Sequence, residues 1–139
     1  MTERNALYEL GKACMLQPPV KLELNHLFAD GLYGRIITMP ANTCVMTAIH
    51  KKENITTVVT GVCRVVNPDG TAEIITAPAF FVTPAGTQRA VYVINESTWI
   101  TVHATNAKTV ETAEQVIAKT PDFFNEFMAI QQSNMETLQ

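Results

Sequence analysis

Between Val20 and Thr105 no stretch is helical enough to carry a chain from one parallel strand to the next, and this constrains the fold more than any other feature. Parallel sheets need long crossovers, usually helices, so a doubly wound fold is excluded. What fills the interval instead is a series of about nine short apolar runs with turn residues between them. Val20, Leu22 and Leu24 alternate with Lys21, Glu23 and Asn25, as in a strand with one wet face. Ala29-Asp30-Gly31 turns the chain into Leu32–Met39, and Pro40-Ala41-Asn42 breaks that run before Thr43–Ile49. Ile55–Thr60 and Val62–Asn67 follow, and Pro68-Asp69-Gly70 signals a hairpin into Thr71–Thr76. Phe80–Thr83, Gln88–Ile94 and Thr98–Thr105 complete the series. Evenly spaced short strands of this kind predict an antiparallel sandwich or barrel.

The two ends differ from this middle. Thr2 to Met15 has helical spacing, with Ala6, Leu7, Leu10 and Cys14 near one face, and Pro18-Pro19 ends it. Val110 to Lys119 predicts a helix with Val110, Ala113, Val116 and Ile117 on one stripe. Thr120-Pro121-Asp122 then opens a second helix, rich in Phe123, Phe124, Phe127, Met128 and Ile130. The chain divides into an N-terminal arm over 1–19, a β-barrel over 20–106 and a helical tail over 107–139. So apolar a tail predicts a homodimer, since a monomer must otherwise hide those side chains on its own barrel.

A chain of 139 residues buries a core without staples. Its net charge of -3 gives no footprint for nucleic acid or an anionic membrane, and its apolar runs are too short to span a bilayer as helices. Cys14, Cys44 and Cys63 contain no CxxC pair and read as buried reduced thiols. Without a basic-then-apolar leader at Met1–Asn5, the expected location is the cytoplasm.

Pro84-Ala85-Gly86 within the strand series, Gly61 at the close of a strand and His50 upstream resemble the two motifs of the cupins. The resemblance spans about half of the chain, and it extends to small stand-alone cupin-like proteins of phages and prophages. It implies an all-β, cupin-like jelly-roll barrel with a short N-terminal helix or arm and two C-terminal helices, and for a phage-encoded protein a place in the host cytoplasm or the virion. It also implies a metal site built from histidines and a glutamate. Here His50 falls on the second histidine of the first motif, but Ala48 falls on the first, Asn54 on the glutamate and Arg89 on the third histidine. A divalent metal needs several imidazoles or carboxylates converging on one point, and a guanidinium among them repels it. No metal or other cofactor is therefore expected. The substitute set His50, Glu53 and His103 leaves a divalent metal as the alternative.

The residues themselves point elsewhere. His103 shares its strand parity with Trp99 and Thr101. Arg89 shares its parity with apolar Val91 and Val93, so its charge needs a partner. Glu53, Glu73 and Glu96 are the candidates in the chain, and a ligand's carboxylate or phosphate is the candidate outside it. His50, Arg89 and His103 come from three strands and are expected around one cavity, with Glu53, Asn54 and Trp99 beside them. Such a cavity suits a small anion. No GxSxG, Walker loop, dinucleotide fingerprint or HExxH occurs. Two functions stand: a small cupin-like binding or structural protein without a complete metal site, and a metal-dependent isomerase or oxygenase on a small polar molecule.

Overall fold

The computed structural model describes residues 22–67 and 69–119. Its strands in chain order are β1 (Glu23–Ala29), β2 (Leu32–Met39), β3 (Cys44–Met46), β4 (Ile49–His50), β5 (Asn54–Val66), β6 (Ala72–Thr76), β7 (Ala79–Thr83) and β8 (Ala90–Ala104). The helix α1 (Val110–Ile117) and a short β9 (Ala118–Lys119) follow. The predicted helix over 2–15 and the predicted second C-terminal helix lie outside the described residues, which hold one helix where the sequence predicts two after the barrel.

Two long strands organise the sheet. β5 has 13 residues and β8 has 15, and they pair antiparallel along their length. Toward one end β5 also pairs with β7, while β8 pairs with β2 and β2 with β1. Toward the other end β5 pairs with β6 and β8 with β3. The result among the described residues is one seven-stranded sheet with a two-stranded sheet, β4–β9, beside it. This corrects the expected closed barrel: among the described residues β1, β3, β6 and β7 are edges and the sheet does not close.

The joint between the two halves explains why the sequence divides β5 and β8 in two. Gly61, and Asn95-Glu96-Ser97 opposite it, look like strand ends, yet the ladder continues through them with register shifts between Val58 and Cys63. Gly61 sits at φ +95°, a region open to glycine and costly for other residues. A Cβ there would overlap Ser97 and the Glu96 carbonyl. The extra residues form a bulge, which bends the strands and does not end them.

Beyond that bulge the inward side chains of β5 and β8 are Cys63, Val65, Val91 and Val93, packed with Val58, Trp99, Met39 and Ile75 into the main core. A second, smaller core forms where Ala113 and Ile117 of α1 cover Tyr33, which is fully buried. Val116, expected on the same stripe, is exposed. The helix stops at Ile117 because Ala118 and Lys119 pair with His50 and Ile49. Cys44 is disulfide-bonded, against the reduced thiol expected, and Cys63 is free and buried.

Candidate functional site

Side chains alternate across a strand, so register alone tells which residues share the inner face. Around the paired ends of β5 and β8 that face is made of three rows. The deepest, Ile37, Trp99, Val58 and Ala79, is apolar apart from the indole nitrogen. The middle row is Arg35, Thr101, Thr56 and Phe81. In the outermost row Tyr33 lies opposite His103 and Asn54 opposite Thr83, and the continued β5–β8 register sets Asn54 beside His103.

Two further residues close over these rows. His50 is carried by β4, whose place is fixed by the Pro84-Ala85-Gly86 turn: its N–H donates to the Thr87 carbonyl at 3.2 Å, and its own carbonyl accepts from Gly86 N–H at 2.7 Å. The His50 ring stacks on His103 with centroids 5.9 Å apart and planes 22° apart. His103 stacks in turn on Tyr33 at 6.0 Å, and the Tyr33 hydroxyl meets His26 Nδ1 at 2.7 Å. Arg89, just before β8, donates from Nη1 to Thr83 Oγ1 at 2.9 Å and from Nε to Asn67 Oδ1 at 3.4 Å. Its guanidinium carbon lies 5.3 Å from the centre of the Phe81 ring.

A chain of hydrogen bonds joins these groups. Thr83 and Thr56 hydroxyls are 2.7 Å apart, and Thr56 donates to Asn54 Oδ1 at 2.9 Å. His103 Nε2 is 2.8 Å from Thr101 Oγ1. None of Glu53, Glu73 or Glu96 forms an ion pair with Arg89; Glu73 reaches it only through Asn67, at 3.4 Å. The one ion pair among the described residues is Arg35 Nη1 to Glu114 Oε1 of α1, at 3.5 Å.

Five buried polar atoms of this region have no hydrogen-bond partner: Arg35 Nε, His50 Nδ1, Asn54 Nδ2, Trp99 Nε1 and His103 Nδ1. Every one is a nitrogen, and the arginine, asparagine and tryptophan atoms can only donate. Each such orphan costs about 1–3 kcal/mol. The field around them is positive. Burial, then His50, then Arg35 hold His103 down to about 4. His50 is lowered by burial first, then by Arg89 and Arg35. Burial also lowers Arg89, with Glu73 opposing, and its guanidinium stays charged.

Of the residues expected at the site, the structure brings together His50, Arg89, His103, Asn54 and Trp99. Glu53 is exposed and stands outside the cluster. Thr101 lies on the face of His103 and Trp99 that strand parity predicts, whereas Arg35, Thr56 and Thr83 have no such signal in the sequence. The metal set His50, Glu53 and His103 is thus not assembled, and among the described residues no three His, Cys, Asp or Glu side chains converge. The donors present do not fit a divalent cation: two imidazoles lie between two guanidiniums, and Asn54 turns its oxygen to Thr56.

No family model matches the sequence, and no curated protein matches it. Solved structures do share its fold. A putative ethanolamine utilization protein Q from Salmonella typhimurium has a TM-score of 0.54 at 15% identity, over 64% of this chain and 73% of that one. An RmlC-like cupin from Shewanella frigidimarina has a TM-score of 0.53 at 19% identity, over 66% of this chain and 84% of that one. An RmlC-like cupin family protein with a double-stranded β-helix fold, from Methanocaldococcus jannaschii, has a TM-score of 0.52 at 11% identity, over 61% of this chain and 81% of that one. The fold of this chain is cupin-like.

Proposed function

From a cupin-like fold whose polar end is rich in nitrogen donors, we propose that the protein binds a small anion between Arg35, Arg89 and the stacked pair His50–His103, without a metal. The observation that carries this reading is the one-sidedness of the orphans: among the described residues five buried nitrogens lack a partner and no buried side-chain oxygen does. A carboxylate or phosphate is the complementary group, since it only accepts and is gripped by guanidinium along two parallel bonds. The alternative, a metal-dependent isomerase or oxygenase, has no comparable support from the donor set. An origin in a phage or prophage rests on the resemblance alone.

Binding to a site that exists only in the folded protein raises the melting temperature by an amount that grows with the logarithm of ligand concentration above Kd. Phosphate, citrate and acetate should therefore stabilise the protein with a concentration-dependent shift, and manganese, iron or zinc should do so weakly. Arg89→Gln should remove most of the anion effect. An anion effect that Arg89→Gln leaves intact, or none at all in the wild type, would end this reading.

A further inference from the structure

The two guanidiniums stand at opposite sides of the site. Arg35 is on β2, at one end of the middle row, and Arg89 lies over Phe81 of β7, at the other end. Two strands, β8 and β5, run between them. At the usual strand separation the Cα atoms of Arg35 and Phe81 are about 14 Å apart along the sheet. Arginines that leave the sheet so far apart favour two acidic groups over one.

Each arginine also keeps donor capacity for a ligand. Arg35 spends Nη1 on Glu114 while its Nε is buried and without a partner. Arg89 spends two donors on the neutral oxygens of Thr83 and Asn67 and, among the described residues, has no ion pair. Between them sit the imidazoles, each with a buried Nδ1 that nothing fills, and Asn54 Nδ2. The strands order the groups: His103 is on β8, which pairs directly with β2 and Arg35, whereas His50 is held by Thr87 and Gly86, next to Arg89. Arg89 and His50 thus form one anion-seeking pole, and Arg35 and His103 the other. The threonine and asparagine side chains between the poles suit the middle of a short polar molecule.

We propose that the ligand is a short dicarboxylate, one carboxylate held by Arg35 and His103 and the other by Arg89 and His50. The proposal rests on the anion reading above and adds to it the number of acidic groups and their separation. The test is isothermal titration of the full chain with acetate, malonate, succinate and glutarate, with sulfate as a compact dianion. One of the three dicarboxylates is expected to bind at least tenfold more tightly than acetate and sulfate. Arg35→Gln and Arg89→Gln should each reduce that dicarboxylate to the affinity of acetate. Acetate or sulfate matching the best dicarboxylate would overturn the proposal while leaving an anion site in place. So would either arginine variant keeping the full affinity for it. Absence of binding by every probe would remove the anion reading itself. Should an arginine variant fail to fold, the ligand series on the wild type decides alone.

Discussion

β5 and β8 pair with one another along their whole length, and yet their two halves are made for different tasks. On one side of the bulge the inward side chains are Cys63, Val65, Val91 and Val93, all buried at 1% exposure or less. Polar groups there are satisfied: the Cys63 thiol donates to Ser97 Oγ at 3.2 Å, and Ser97 donates to the Asn95 carbonyl at 2.7 Å. On the other side the same alternation turns in Asn54, Thr56, Thr101 and His103, with orphaned nitrogens among them. The first half stabilises the fold by burial. The second costs stability, about 1–3 kcal/mol for each nitrogen left without a partner. A cost concentrated at one place, with satisfied polar groups at the other, is the pattern that motivates the reading of the polar half as a site of recognition.

The largest effect is expected at the joint. Gly61→Ala places a Cβ against Ser97 and the Glu96 carbonyl at a φ of +95°. Backbone cannot yield as a flexible side chain can, so both halves lose register together. A loss of about 4 kcal/mol or more is expected, seen as little or no folded protein by circular dichroism. A variant with near-native melting would show that the bulge does not tie the halves together.

Next come substitutions that should behave differently in the two halves. Val65→Ala opens a cavity in the packed half and should cost about 2 kcal/mol in urea unfolding. His103→Phe keeps the stack with Tyr33 and His50 and removes an orphaned Nδ1 together with the bond to Thr101 Oγ1, so the two changes offset and the protein should stay within about 1 kcal/mol of the wild type. It should also lose its anion affinity. Equal destabilisation by the two changes would mean that the polar half is as well satisfied as the core.

Parts of this contrast are legible in the sequence. The shared parity of Trp99, Thr101 and His103 follows from alternation alone, and the PxG motif is the signal that draws attention to Arg89 and His50 together. Arg35 is not legible, because both faces of Leu32–Met39 are apolar: Tyr33, Ile37 and Met39 on one side, Leu32 and Ile36 on the other. Nothing local says which face turns inward, and only pairing with β8 decides. The same holds for Glu53, whose sequence place beside Asn54 hides that β5 begins one residue later, with Asn54 inward. The continuity of β5 and β8 is masked by Gly61 and Asn95-Glu96-Ser97, since a bulge and a strand end use the same residues. β9 is invisible for another reason: two residues paired to a distant β4 leave no periodicity.

Acid should act on the polar half alone, with a somewhat smaller effect. Both imidazoles are held below the ordinary value of 6.5, His103 to about 4. Between these values the unfolded chain binds protons that the folded chain refuses, so stability falls as pH drops from about 6.5 toward 4. For His103 the ceiling is about 3 kcal/mol. Urea midpoints of the wild type at pH 7, 5.5 and 4 should decline, and His103→Phe should flatten the decline. A parallel decline in the variant would assign it to other groups.

The smallest effect on stability is expected on the other face of the same strands. Outward from β1, β2, β8, β5 and β7 run Leu27, Gly34, Val102, Ile55 and Val82, then Asn25, Ile36, Ile100, Thr57 and Phe80. Neither row holds a charge, and Phe80 is 73% exposed, Leu27 61%, Val82 59% and Ile55 56%. An apolar face of this kind is the natural seat of the homodimer that the sequence leads one to expect, and we propose that it is. Phe80 is largely exposed, so the cost of Phe80→Asp to unfolding of the monomer should stay within about 0.5 kcal/mol. Across a dimer interface it buries two like charges and should yield monomer by light scattering at tens of micromolar. A wild type that is already monomeric there, or a dimer indifferent to Phe80→Asp, would move the association away from this face and leave the inner half as the site of recognition.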